Sequence, residues 1–343
     1  MNSAILVSTF PARQNIFQVI QLPFLARFYR YAYHCRSGNR WQMRFANVLK
    51  KIFTVYRRFC GASTGEFEYL REGQRTRIFF DARNVQFLGL YLPMFVYGYE
   101  PEVAALIDIF LPEGGIFYDI GSNWGYFTLY AAANHKKLTI HAFEPLPDSY
   151  RDLASCVQQA GLSKIATCHN FALSSETGEA FIKIPDHLHS GSAEISRQDG
   201  QTRVATRRLD ALDLPPPDFI KLDAENHELE ILRGAAQTLK TSRPFIVFEN
   251  KPDYMQPEKV LNVLFFLQEL GYNFYVPAVK RQPVDREFFM QVGWHEIKTG
   301  ENLALIPFRP ETRLLYQHEL NVFACHASRQ SEQMAKFKIW PES

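Results

Sequence analysis

The 343-residue chain lacks the features that mark several protein classes. Its five cysteines (Cys35, Cys60, Cys156, Cys168 and Cys325) are odd in number, scattered, and form no CxxC or Cys/His cluster. That argues against a disulfide scaffold and a structural zinc site, and points to a reducing, cytoplasmic compartment. Long apolar runs are also missing. A spanning helix needs roughly 18 uncharged apolar residues. The longest uncharged run, Asn84 to Tyr99, falls short and contains Asn84, Gln86, Gly89, Pro93 and Gly98. No span is expected. A secretory signal fits poorly, because no positive segment precedes Ile5–Val7 and no clean apolar core follows. Acid is absent from the first 60 residues, which hold ten Lys and Arg. The other 283 residues carry 28 basic against 36 acidic groups, so the overall net charge of +2 averages a +10 arm and a −8 body. An acid-free, Arg-bearing start also has the composition of an organellar transit peptide, should the source be eukaryotic.

What is present is the composition of a folded protein. It is 46% hydrophobic and 22% charged, with 29 Phe, 16 Tyr and 4 Trp. Wholesale disorder and fibrous classes are excluded, and the length allows one large or two ordinary domains. Within the arm, Trp41, Phe45, Val48, Leu49, Ile52, Val55, Tyr56 and Phe59 recur with a helical period, while Arg40, Lys50, Lys51, Arg57 and Arg58 fall largely opposite. The spacing predicts a basic amphipathic helix over 41–59. Either it rests on an anionic membrane surface, or it packs its aromatic face on the body and solvates its charges. Phe24–Tyr33, begun by Pro23, predicts a second short helix, and 66–92 reads as short strands or loop.

From Pro101 strand and helix signals alternate. Helices are expected at Pro101–Phe110, Tyr126–Ala133, Asp148–Ala160, Glu228–Leu239 and Pro257–Leu270. Strands are expected at Ile116–Ile120, Leu138–Phe143, Ile165–Leu173, Asp218–Asp223, Phe245–Glu249, Tyr272–Val276 and Leu303–Pro307. Three short antiparallel strands (180–184, 192–196 and 202–209) interrupt the rhythm. This order predicts an α/β fold with a mostly parallel seven-stranded sheet, helices on both faces and an antiparallel insertion at about 178–210. The domain boundaries expected are an arm at 1–75, a catalytic domain at 76–310 and a C-terminal extension at 311–343.

Ligands of such sheets bind beyond the C-terminal strand ends. Those ends collect the chemistry: Asp119-Ile120-Gly121, Glu144-Pro145, Asn170–Ser175, Asp223–His227 and Glu249-Asn250. The loop Gly121-Ser122-Asn123-Trp124-Gly125 lets backbone approach a ligand, but it is not the G-x-G-x-x-G of dinucleotide binding. An acid just before its first glycine would repel phosphate and suits an amino-acid-bearing nucleoside better. Glu144, ending the next strand, can accept both hydroxyls of a ribose, as in NAD enzymes too.

Asp119-Ile120-Gly121-Ser122-Asn123-Trp124-Gly125, Ala142-Phe143-Glu144-Pro145, Phe171-Ala172-Leu173-Ser174, Leu209-Asp210 and Ile220-Lys221-Leu222-Asp223-Ala224-Glu225-Asn226-His227-Glu228 together resemble the FkbM family of class I S-adenosylmethionine (SAM) methyltransferases. Tyr97-Gly98-Tyr99-Glu100-Pro101 and Gly271-Tyr272 also fit, and the resemblance covers roughly 85–307. It implies a Rossmann-like fold, SAM as cofactor, and O-methylation of a sugar, glycolipid or natural-product hydroxyl. Position by position it implies Asp119, Gly121, Ser122, Asn123 and Gly125 around the methionine moiety, Glu144 on the ribose, and Asn170 and Ala172 beside the adenine. The family usually has Gly where this chain has Asn226, which would put a side chain near the substrate pocket and either change substrate choice or weaken activity.

An alcohol is a weak nucleophile until a base takes its proton. Candidate bases are Asp223 first, then His227, with Glu225 and Glu249 beside them. Glu225 and Glu228 also sit where a helix dipole alone would favour an acid, and Lys221 can serve merely to neutralise a neighbouring carboxylate. The acids could chelate a divalent ion, but without fixed ligand spacing no metal is assigned. A nucleic-acid methyltransferase gripping phosphates with the arm is disfavoured by the acidic body and the absence of an N-P-P-Y-type motif. A non-catalytic SAM- or partner-binding relic is the remaining alternative.

Overall fold

The computed structural model describes residues 5–9, 16–23, 26, 27, 30, 41, 44, 45, 48, 51, 52, 55, 64–91, 98–183, 194–196, 200, 202–279, 302–331, 335 and 337–340. In chain order the strands are β1 (Ile5–Thr9), β2 (Phe17–Gln21), β3 (Thr64–Arg71), β4 (Gln74–Asp81), β5 (Ile116–Ile120), β6 (Thr139–Phe143), β7 (Ala166–His169), β8 (Ala172–Leu173), β9 (Gly178–Lys183), β10 (Glu194–Ser196), β11 (Thr202–Arg207), β12 (Phe219–Leu222), β13 (Phe245–Asn250), β14 (Tyr272–Val279), β15 (Asn302–Phe308), β16 (Leu320–His326) and β17 (Lys338–Trp340). The helices are α1 (Pro101–Phe110), α2 (Tyr126–Asn134), α3 (Pro147–Gln159), α4 (Glu228–Gly234), α5 (Ala236–Ser242) and α6 (Pro257–Glu269).

The main sheet runs β17-β1-β15-β14-β16-β13-β12-β5-β6-β7. Strands β7, β6, β5, β12 and β13 pair in parallel, and β16 is inserted antiparallel between β13 and β14. Counted from β5, the seven core strands lie in the order 3-2-1-4-5-7-6, with only the seventh reversed. This is the expected Rossmann-like class I methyltransferase sheet, extended by β15, β1 and β17. Parallel strands covered on both faces need apolar residues pointing both ways. In β12 and β13, Phe219, Phe245 and Val247 join the cluster under α1, α2 and α3, whereas Ile220, Leu222, Ile246 and Phe248 join the one under α4, α5 and α6. Helix α3 shows how the pattern works locally. Pro147 starts it, and Ser149, Leu153, Cys156 and Val157 supply its buried stripe.

Three expectations need correction. The segment 311–343 is no extension, because Leu320–His326 fills the slot between β13 and β14 and exchanges backbone hydrogen bonds with both. The arm is not separate from the body either. Strand β1 pairs with β15, and β2 joins the β3–β4 hairpin, which a boundary at 75/76 would cut in half. Tyr69 of that hairpin donates to the Leu129 carbonyl of α2 at 2.9 Å, binding hairpin to core. The helix expected at Glu228–Leu239 is two helices, broken at Ala235. Gly234 explains the close packing there: a Cβ on it would lie 2.0 Å from the Ser174 carbonyl oxygen.

The antiparallel insertion forms its own four-stranded sheet, β10-β9-β11-β8, with β8 parallel to β11. Of the two arm helices, residues 26, 27 and 30 and residues 41, 44, 45, 48, 51, 52 and 55 are helical. The rest of both lies outside the described residues, as does the polar turn at 187–192.

Candidate active site

The C-terminal ends of β5, β6, β12 and β13 open into one cavity of about 350 Å³. Phe143, Glu144, Phe171, Ala172 and Leu173 line its β6–β8 side, and Gly121, Ser122 and Asn123 lie at the end of β5. Lys221, Asp223, Glu225, Glu249 and Lys251 line the β12–β13 side, joined by Glu319 from the turn before β16. Gln86, Gly89, Tyr99, Trp124 and Tyr126 complete the wall. Trp124 fixes this last group by donating from Nε1 to the Gln86 carbonyl at 3.1 Å and lying 4.6 Å from the Phe87 ring.

Backbone builds the β5 side. Asp223 N–H donates to the Ile120 carbonyl at 3.0 Å, so the ends of β5 and β12 touch. Gly121 turns there at φ +74°, and a Cβ would fall 1.7 Å from the Asp223 carbonyl oxygen. Only glycine meets both demands. The amides of Gly121 and Ser122 donate to the Phe143 carbonyl at 3.0 and 3.1 Å, tying the loop to β6. Asn123 follows at φ +50° and Gly125 at +94°, launching α2.

Glu144 is buried and already half engaged. Its Oε2 accepts from Asn123 N–H and its Oε1 from Leu146 N–H, each at 2.9 Å. Burial pushes its pKa up to about 7, with those two amides pulling the other way. A carboxylate oxygen has two lone pairs, so each retains capacity for a ligand hydroxyl. Asp119 lies behind the loop rather than on the cavity wall. It is fully buried, accepts from the Thr128 hydroxyl at 2.7 Å, and has its pKa raised by burial despite the opposing Lys221 charge. Asn123 Oδ1 is a buried acceptor with no hydrogen-bond partner among the described residues. A ligand ammonium would satisfy it.

Charge builds the β12–β13 side. Lys221 Nζ lies 3.0 Å from Asp223 Oδ2 and 3.4 Å from the Gly121 carbonyl. Burial opposes its charge, but Asp223, Asp119 and Glu100 outweigh that and drive its pKa upward. Lys251 Nζ lies 2.5 Å from Glu225, 2.9 Å from Glu249 and 3.8 Å from Glu319. Four carboxylates thus face two ammonium groups, and all four cannot be ionised at low cost. The retained proton belongs on Glu249, whose pKa is raised by burial first, then by Asp223 and a hydrogen bond with Glu319. Asp223, Glu225 and Glu249 could together ligate a cation, but the Lys251 ammonium already sits against two of them.

The backbone after β12 is strained. Glu225 and Asn226 are consecutive left-handed residues, at φ +50° and +70°. Each such non-glycine residue costs on the order of 1 kcal/mol, least for Asn. Lys251 holds Glu225 in place. The Asn226 side chain is exposed and is not on the cavity wall, contrary to the expectation that it crowds the acceptor. His227 Nε2 pairs with Ser174 Oγ at 3.0 Å, away from that wall. Glu228 is buried and accepts from Ala224 N–H at 3.1 Å, closing the turn.

Of the twelve residues singled out, Gly121, Ser122, Asn123, Glu144, Ala172, Asp223, Glu225 and Glu249 line the cavity. Asp119, Gly125, Asn170 and His227 do not. Asn170 instead donates to the carbonyls of Glu144 and Pro145, at 2.9 and 3.2 Å, holding the turn that presents Glu144. Sequence reasoning missed Lys251 and Glu319. Lys251 stands two residues beyond Glu249, a spacing that returns a strand residue to the same face. Glu319 immediately precedes β16, a strand that was not expected at all.

The sheet order and the cavity at its strand ends are those of a Rossmann-like, class I methyltransferase fold. Residues 117–274 match the Methyltransferase FkbM domain. It is 29% identical over 154 residues to the hexuronic acid methyltransferase AglP of Haloferax volcanii, covering 44% of this chain and 62% of the relative. Over 69 residues it is 36% identical to the 31-O-demethyl-FK506 methyltransferase FkbM of Streptomyces tacrolimicus, 20% of this chain and 25% of that one. A crystal structure of methyltransferase FkbM from Methylobacillus flagellatus aligns over 56% of this chain and 43% of its own, with 16% identity and a TM-score of 0.37. These matches therefore span less than two thirds of each of the three proteins.

Proposed function

We propose that the chain is a SAM-dependent O-methyltransferase acting on a hydroxyl of a sugar, glycolipid or natural-product scaffold. The observation that carries this reading is the two-sided cavity: a glycine turn and a buried carboxylate on one side, an ion-paired carboxylate on the other. S-adenosylmethionine bound there supplies a methyl group activated by its sulfonium. Glu144, oriented by two backbone amides, accepts the ribose hydroxyls. Asn123 Oδ1 takes the amino-acid ammonium. Phe143, Phe171 and Leu173 supply the apolar walls for the adenine.

On the other side Asp223 accepts the proton of the acceptor hydroxyl as its oxygen bonds to the methyl carbon and the carbon–sulfur bond breaks. Lys221, 3.0 Å from Asp223 Oδ2, holds that carboxylate in place. The oxygens of Glu225, Glu249 and Glu319 accept from neighbouring hydroxyls, which suits a polyol. The acids of this side outnumber its two ammonium groups, so a phosphate-rich acceptor such as nucleic acid is not favoured. The test is transfer from methyl-labelled SAM into fractionated glycan, polar-lipid and RNA extracts. An alkali-stable label in a glycan or lipid fraction is the expected result. Label confined to RNA, or an alkali-labile methyl ester, would overturn the reading of a glycan, lipid or natural-product hydroxyl as the acceptor.

A further inference from the structure

Residues 41, 44, 45, 48, 51, 52 and 55 are helical. At about 100° per residue, Trp41, Phe45, Val48, Ile52 and Val55 fall within roughly 80° of one another, a single narrow stripe. Arg44 and Lys51 run along one edge of it, and the Arg44 guanidinium lies 5.6 Å over the Trp41 ring. In a helix resting on its own body this stripe would be the covered face. Here all five side chains face solvent, from 48% exposed at Ile52 to 76% at Trp41. Single exposed apolar residues are ordinary, but a contiguous stripe of five marks a surface that meets something.

The charge identifies what. The surrounding 60 residues hold ten basic groups and no acid. A polyanion such as RNA would take the basic groups and leave the stripe in water. A second copy of the helix would cover the stripe but bring like charges together. An anionic lipid surface satisfies both: the stripe enters the acyl boundary, and Arg44 and Lys51 extend along it to the headgroups. We propose that this helix seats the protein on an anionic membrane, lying in the interface without crossing it. No helix among the described residues is long and apolar enough to cross one.

The experiment uses the full chain in co-sedimentation with vesicles of phosphatidylcholine, alone or mixed with phosphatidylglycerol. The wild type is expected to bind the mixed vesicles at least about tenfold more strongly, since each basic residue near an anionic surface contributes roughly fivefold. Arg44→Ala with Lys51→Ala should weaken that binding on the order of 25-fold. Trp41→Ser with Phe45→Ser should weaken it at least about tenfold. Both variants should melt with the wild type, because every substituted side chain is exposed. Equal binding to both vesicle types would overturn the proposal. So would vesicle binding indifferent to Trp41→Ser/Phe45→Ser, as would a concentration-dependent dimer that only those two substitutions dissolve while vesicles are ignored.

Discussion

The two sides of the cavity are made differently. The β5–β6 side is held by backbone: two amides on the Phe143 carbonyl, two on Glu144, and a glycine where no Cβ fits. The β12–β13 side is held by side-chain charge, with Asp223, Glu225, Glu249 and Glu319 around Lys221 and Lys251. Backbone geometry keeps one shape whichever acceptor is used. Side-chain charge can be rearranged by single substitutions without disturbing the sheet. A fixed cofactor and a variable acceptor are what such a division serves.

The largest effect expected from breaking this comparison is on the backbone-built side. Gly121→Ala places a Cβ 1.7 Å from the Asp223 carbonyl oxygen at φ +74°. Separating β5 from β12 should cost on the order of 4 kcal/mol or more, read as loss of a cooperative thermal transition or a greatly lowered melting temperature.

Next comes the buried acid that closes the strained turn. Burial raises the Glu228 pKa from 4.5 to about 7, with the Ala224 amide opposing. A carboxyl whose pKa is higher folded than unfolded takes up a proton on folding. Its contribution to stability is therefore complete below pH 4.5 and is lost as pH rises to about 7, with no further change above. Glu228→Gln keeps an acceptor for the Ala224 amide without the charge. It should raise stability at pH 8 by on the order of 2–3 kcal/mol over wild type and flatten the dependence between pH 5 and 7 in denaturant titrations.

Lys251→Ala sharpens the comparison from the charged side. Glu225, Glu249 and Glu319 lose their shared ammonium, so acceptor turnover should fall about tenfold in kcat/KM with SAM affinity changed less than about twofold. Wild-type transfer should be indifferent to a chelator, while the variant should recover part of its activity with a divalent ion, which Asp223, Glu225 and Glu249 are close enough to bind. The smallest effect belongs to Asn226→Gly. The backbone already holds φ +70° and the side chain is exposed, so steady-state activity should stay within about twofold.

Much of this was legible in the sequence because local chemistry dictates it. Pro101 opens a helix where expected, α3 starts one residue ahead of the expected Asp148, and strands β5, β6, β12 and β13 follow from apolar runs ending in acids. Gly121 and Glu144 were placed by their positions at strand ends. What was not legible depends on pairing between distant segments. The strand Leu320–His326 enters the sheet from the far side of a polar stretch, and β1 joins it across nearly three hundred residues. Its short, Asn- and His-bearing sequence shows no period that demands that slot. Lys251 and Glu319 were missed for the same reason: their role exists only once β13 and β16 lie side by side. His227 illustrates the converse, since a residue near Asp223 in sequence turns to Ser174 once helix α4 begins.

The central claim is that one side of the cavity holds the cofactor and the other handles the acceptor. It is tested most directly by measuring SAM affinity and single-turnover methyl transfer together in Glu144→Ala and Asp223→Asn. Glu144→Ala should weaken SAM binding by about tenfold or more, through loss of the ribose contact and the Asn123 and Leu146 amides it orders. Asp223→Asn should leave SAM affinity within about threefold and slow transfer at saturating SAM by roughly 100-fold or more. SAM binding lost in Asp223→Asn but kept in Glu144→Ala would contradict the assignment of the two sides.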